Sequence, residues 1–258
     1  MAFKRLIFLL KTCNILIGDK IMMTKKAELQ KYDNYHFVIA GFTQFKEILK
    51  KLKKAMPYYR FEAKPSKNIK EIFYDNEYNM LSDAGIVLSK SITSKDTYFN
   101  IRRLSRVLQK RNKKYKIAGT CKPSDHPKNY APQIASAIDD SFSSALTIDL
   151  ENIVKKTKEI IELDIDKTPY DLICGSGFRA GIIHENVMYK DIKSGRKVFQ
   201  ECISLTVPSG EYPETEEILR IIDRAIPSLV RYNESRFELA QKLLYSQGTV
   251  DLPQENNE

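Results

Sequence analysis

The amino-acid sequence predicts an α+β domain, an antiparallel β-rich body with peripheral helices. Three observations carry this. Residues 69–74, 86–92 and 98–104 have apolar positions that alternate rather than recur every three or four residues. Residues 178–189 and 198–207 read as two long strands joined through the turn KSGRK, the pattern of an antiparallel hairpin. No internal repeat and no low-complexity linker divides the 258 residues, so one core with helices around it is the economical arrangement.

Taken in order, the chain opens with MAFKRLIFLLKTCNILIGDK, in which Lys4 and Arg5 precede an apolar run that Lys11 breaks after five residues. A secretory core needs about 7–15 apolar residues and a membrane span about 18, so neither is expected. Residues 1–30 read as an extension, with Met22 or Met23 as an alternative start, and 247–258 as a polar tail. Residues 35–42 (YHFVIAGF) suit a short strand ending at Gly41. A helix capped by Thr43 follows, with Phe45, Ile48, Leu49 and Leu52 on one face and lysines on the others, stopped by Pro57. In 149–166 the first half fits a helix. The second half alternates, with Ile161, Leu163 and Ile165 on one face of a strand and Glu162, Asp164 and Asp166 on the other. Thr215 is expected to cap a last helical region, TEEILRIIDRAI, with Glu216 and Glu217 at its positive end, and Pro227 interrupts it before ESRFELAQKLL.

Composition narrows the function classes. Lys and Arg outnumber Asp and Glu 42 to 33, a net charge of +9, which favours anionic partners such as phosphates, nucleic acid or an acidic surface. Cys13, Cys121, Cys174 and Cys202 share no close spacing, so no zinc knuckle or redox pair is expected, and a reduced, cytoplasmic setting is. His36, His126 and His184 are too scattered for a metal cluster. GSGFRAG at 175–181 lacks the Gly-Lys-Ser/Thr ending of a phosphate loop and reads as a flexible β-turn. There is no Gly-x-Ser-x-Gly elbow, so acyl-transfer hydrolysis is not expected.

Residues 71–91 (EIFYDNEYNMLSDAGIVLSKS) carry an aromatic-Asp pair, Tyr74 and Asp75, then Leu81, Ala84, Gly85, Ile86 and Leu88. This order resembles the second and third strands of the CYTH superfamily, the triphosphate tunnel metalloenzymes. Asn100, Ile101 and Arg102, a hairpin with Glu185 and Glu201, and a C-terminal helix with Arg236 near its start follow in the family's order, so the resemblance covers about residues 35–244 or 35–246. It implies an eight-stranded antiparallel β-tunnel that binds triphosphate groups with inward Lys and Arg, holds Mg²⁺ or Mn²⁺ with inward carboxylates, and hydrolyses or cyclises the phosphate chain. On this chain it implies Arg102, Arg236, Lys156 and Lys158 as phosphate contacts and Glu185 and Glu201 as metal contacts. The chain departs from the family's pattern at the first strand, where YHFVIAGF has no carboxylate in place of Glu-x-Glu-x-Lys. It departs again on the third, where Ser89 and Ser91 replace Arg-x-Arg and Lys90 faces the other way by alternation.

Plainer alternatives stand beside these. Lys156 and Lys158 can be solvated helix lysines, Glu162, Asp164 and Asp166 the wet face of a half-buried strand or a replacement metal site, and Glu185 and Glu201 salt-bridged hairpin carboxylates. The stretch 102–122 holds nine basic residues and no acid, and reads as a solvated loop or a non-specific nucleic-acid contact. Three functions are therefore expected in competition: a metal-dependent triphosphate hydrolase, a non-catalytic CYTH-fold scaffold or sensor for a phosphorylated ligand or polyphosphate, and a polyanion binder.

Overall fold

The computed structural model describes residues 32–41, 43–104, 115–117, 121–142 and 149–245. Among them ten strands form one antiparallel sheet: β1 (Tyr32–Ile39), β2 (Tyr59–Ala63), β3 (Lys67–Asp75), β4 (Ile86–Thr93), β5 (Thr97–Arg103), β6 (Tyr115–Ile117), β7 (Lys158–Cys174), β8 (Arg179–Asp191), β9 (Lys197–Pro208) and β10 (Leu229–Tyr232). The helices are α1 (Phe45–Ala55), α2 (Met80–Asp83), α3 (Ala131–Phe142), α4 (Leu150–Lys155), α5 (Pro213–Ala225) and α6 (Arg236–Tyr245).

The α+β antiparallel class is as expected, but the eight-stranded closed barrel is not what the ladders form. The order runs β10, β1, β9, β8, β7, β3, β4, β5, β6, with β2 off the path on β7, and no pairing among the described residues joins β10 to β6. The extra strands have a local cause. β7 is 17 residues long, and its first part pairs with β3 while Tyr170 to Cys174 pair with β2. Pro65 interrupts what would otherwise be one partner strand, since proline cannot donate to a ladder. β10 lies between Pro227 and α6, where the sequence showed only an interruption.

Register sorts side chains onto two faces. Glu71 and Phe73 oppose Ser91 and Ser89, which oppose Tyr98 and Asn100, so these share one face, while Ile72, Tyr74, Leu88, Lys90, Phe99 and Ile101 share the other. The second, outer face is covered twice. α1 and α5 pack Ile48, Leu52, Ile218 and Ile222 over Phe37, Leu172, Ile182 and Leu205, and α3 and α4 pack Ile134, Ile138 and Val154 over Leu88, Phe99 and Ile101. Between the two helical layers Asp164 and Asp166 are exposed, and Glu162 meets Lys70 and Lys190 at 3.1 and 3.7 Å, so the acidic ladder is the wet outer face. The inner face receives α6, whose Phe237, Leu239, Ala240 and Leu244 bury against Phe73, Ile161, Leu163 and Tyr189.

The Tyr74-Asp75 pair is structural. Asp75, 1% exposed, accepts hydrogen bonds from the N–H groups of Asn76, Leu81 and Ser82 and so ties the end of β3 to α2. Gly85 closes that helix at φ +73°, with open space where a side chain would stand. Its requirement is therefore the left-handed backbone and not room. Gly85→Val should cost about 1–2 kcal/mol and lower Tm by several degrees, with Gly85→Asn milder. Unchanged melting of the valine variant would show that the turn can re-form without a positive φ.

Candidate functional site

Five charged side chains meet on the inner face. Alternation along β3, β5, β7 and β8 turns Glu71, Arg102, Lys167 and Glu185 inward. Arg236 arrives as the first residue of α6, fixed by a reciprocal cap: the Ser235 N–H donates to Glu238 Oε2 and the Glu238 N–H donates to Ser235 Oγ. A cation at a helix N-terminus opposes the helix dipole, and here two carboxylates offset it. Arg236 Nη2 lies 2.7 Å from Glu185 Oε2 and Nη1 3.3 Å from Glu71 Oε2. Arg102 Nη2 reaches Glu71 Oε1 at 2.8 Å, and Lys167 Nζ reaches Glu185 Oε1 at 2.6 Å. The charges thus alternate in one chain, Arg102, Glu71, Arg236, Glu185, Lys167, with one cation in excess.

Electrostatics favour the charged forms of Glu71, Glu185 and Arg236. Burial alone would raise the Glu71 carboxyl, but Arg102, Arg236 and the Ser89 hydroxyl beside it hold it below the ordinary carboxylate range. Glu185 follows the same balance, with Arg236 and Lys167 outweighing burial. Burial opposes the charge on Arg236, and Glu185 and Glu71 overcome it. For Lys167, burial and then Arg236 press the ammonium down while Glu185 draws it up.

The carboxylates are 2–3% exposed and the cations 21–23%, so the cations are the more accessible members of the cluster. Around it the inner face is polar. Asn100 donates to Ser91 Oγ, Ser89 donates to Glu71, and His36 Nδ1 lies 2.9 Å from Ser204 Oγ. Arg102 Nε and Asn100 Oδ1 are buried without a hydrogen-bond partner among the described residues.

The structure brings together Arg102, Arg236 and Glu185 and separates the other expected residues from them. Glu185 opposes Cys202 while Asn186 opposes Glu201, so Glu201 is on the outer face, where it accepts from the Phe45 N–H at the start of α1 and faces His184 at 3.7 Å. Glu185 and Glu201 therefore do not converge on one ion. Lys156 caps the end of α4 and Lys158 begins β7, both exposed and away from the cluster. Lys90 points outward as alternation required, donating to the carbonyls of Pro123 and Asp125. GSGFRAG is the β7–β8 hairpin turn, with Gly177 at φ +89°. Of the basic stretch, 105–114 and 118–120 lie outside the described residues, as do 1–31 and 246–258.

The donor set does not fit Mg²⁺ or Mn²⁺. Both inward carboxylates are already neutralised by three cations that would repel a metal, and no group of three His, Cys, Asp or Glu suited to a metal occurs among the described residues. Two site residues, Glu71 and Lys167, were not singled out from the sequence. Lys167 was within reach, as the next member of the alternation Ile161, Leu163, Ile165. For Glu71 alternation gave its partners in the strand, but not which face becomes the inner one.

Because both glutamates are held below the ordinary value of 4.5, their contribution is present above that pH and lost as pH falls through the lowered values. Melting temperature should therefore drop below about pH 4.5. Glu71→Gln should cost about 3–5 kcal/mol at neutral pH by leaving Arg102 unpaired and should flatten the acid limb. A neutral-pH loss under about 1 kcal/mol would mean the arginines find water or other partners.

At the level of sequence, no protein-family model matches the chain and no curated protein is similar to it. Solved structures are. HpAC1 from Hippeastrum, a putative adenylyl cyclase described as having a dominant triphosphatase activity, is 9% identical, with a TM-score of 0.50 over 81% of this chain and 94% of that one. A putative adenylate cyclase from Bacillus halodurans (11% identity, TM-score 0.43, 82% and 97% covered) and the PH1819 protein from Pyrococcus horikoshii (11%, 0.39, 81% and 99%) are further similar structures. The likeness to HpAC1 makes the fold of this chain CYTH-like.

Proposed function

We infer that the protein binds a phosphorylated small molecule, of triphosphate type, on its inner face, and acts as a binding module and not as a metal-dependent hydrolase. The observation that carries this is the cluster's exposure: Arg102, Arg236 and Lys167 keep about a fifth of each side chain accessible while the glutamates paired with them are closed off. An anion approaching the cluster meets fixed donors first, and the carboxylates serve to hold those donors in place. The activity described for HpAC1 supports the triphosphate class. Among the described residues no set of carboxylates converges to hold a metal ion, which argues against a metal-dependent hydrolase. Three cysteines among the described residues are free thiols, which suits a reducing, cytoplasmic setting.

The test is thermal stabilisation by inorganic triphosphate, ATP and thiamine triphosphate, with and without Mg²⁺ or Mn²⁺, alongside phosphate release. Ligand at about 100 times Kd should add about 2.7 kcal/mol, with Arg102→Gln losing the shift and Lys95→Ala, on the exposed β4–β5 turn, retaining it. Metal-dependent turnover that Glu71→Gln abolishes would overturn the binding-module reading in favour of a hydrolase. No shift with any ligand would remove the inner face as a phosphate site.

A further inference from the structure

A second basic feature lies outside the inner cluster. Where β3 ends, where Pro127–Tyr130 forms a single 3-10 turn, and where α4 passes into β7, three segments enclose a groove of about 480 Å³. Lys128, Lys155, Lys156 and Lys158 line it with His126 and Tyr78. Of these lysines Lys155 is paired, with Glu151 at 2.6 Å. Lys128, Lys156 and Lys158 have no acidic partner among the described residues, whereas Lys64, Lys70, Lys167, Lys190 and Lys242 each do. Glu77 is the one acid in the lining. Three unpaired cations brought together from two segments repel one another, a cost that an anion between them removes.

The rest of the groove is suited to more than a bare phosphate. Tyr78 is 71% exposed, held in its turn by the hydrogen bond from its N–H to Asn76 Oδ1, and so offers an open aromatic face beside the lysines. His126 is fixed edge-on to Tyr74, and its Nδ1 accepts from the Lys128 N–H at 3.2 Å. That bond leaves the proton on Nε2 as a donor. Burial, Lys128 and Lys90 lower the tendency of the ring to take a second proton, so it adds a neutral donor among the charges. Cations lining one groove with an exposed ring beside them are the elements of nucleotide recognition, in which the phosphate meets the lysines and the base stacks on the aromatic side chain. The volume is within the range of small-molecule sites.

We propose that this groove binds a nucleotide, through Lys128, Lys156 and Lys158 to phosphate and Tyr78 to the base, either as a free nucleotide or as a unit of single-stranded nucleic acid. It is separate from the inner face, and it stands or falls independently of the function proposed there.

Fluorescence anisotropy with the full chain tests it, using a 5′-labelled dT12 strand and a fluorescent ATP analogue as the two probes, over a salt series. Lys156→Ala combined with Lys158→Ala should weaken binding about tenfold at low salt. For the strand it should lower the slope of log K against log salt by about 1.4, the value for two phosphates. Tyr78→Ala should weaken binding about 5- to 150-fold with the slope unchanged, the range of one lost base stack. All three side chains are exposed, so melting should stay within a degree or two of the parent. The probe that responds to both variants identifies the source, strand or free nucleotide. Binding that both variants retain, or that Arg102→Gln alone removes, would overturn the proposal, as would no binding of either probe at low salt.

Discussion

The guanidinium of Arg236, gripped between Glu71 and Glu185, is the interaction on which the arrangement of the inner face depends. It joins three elements that are remote in sequence: β3, β8 and the first turn of α6. Without it the two carboxylates would be buried beside fewer cations, and desolvation would drive them to take protons. With it, the N-terminus of α6 is anchored at one point, and the apolar residues that follow, Phe237, Leu239, Ala240 and Leu244, are delivered to the sheet at fixed positions. An ion pair of this kind is weak evidence for added stability, because its desolvation offsets much of its attraction. What it gives is geometry. Arg236 is the hinge between a polar part of the inner face and an apolar part that α6 seals.

Charge is used differently in the two basic features. On the inner face each cation is paired with a carboxylate, leaving only one in excess, so the positive ends are held in place. A preorganised donor set binds with little loss of side-chain freedom. In the groove at Lys128, Lys156 and Lys158 the cations are solvated and unpaired, and order on binding must be supplied by the ligand. The first arrangement suits a compact, highly charged molecule. The second suits a longer or flatter one whose phosphate is only part of what is recognised.

The likeness to HpAC1 is one of scaffold. Tyr74, Asp75, Leu81 and Gly85 build the turn between β3 and β4, and Asp75 spends both oxygens on backbone N–H groups there. Such residues are kept by folding requirements, whatever the inner face does. The acids are where the chain departs. β1 turns His36 and Val38 inward, where the resemblance implied carboxylates, and Glu201 is on the outer face, where it satisfies the first N–H of α1.

Much of this was legible in the sequence. Strict alternation gave β3, β4, β5 and the β8–β9 hairpin, told Glu162, Asp164 and Asp166 apart from Ile161, Leu163 and Ile165, and placed Lys90 opposite to Ser89 and Ser91. Helical spacing gave α1, and Pro57 ended it. Short elements such as β2, β6 and β10 were not legible, because three to five residues carry too little periodicity and owe their state to the strand beside them. α3 was missed because its cover of β4 and β5 is a tertiary fact. By itself, then, the sequence determined which residues share a face, since a period of two is a property of the local backbone. Which face turns inward, which carboxylate meets which arginine, and that Glu185 and Glu201 part company were decided only by register between distant strands. A one-residue difference there moves a side chain through the sheet, and no local signal records it.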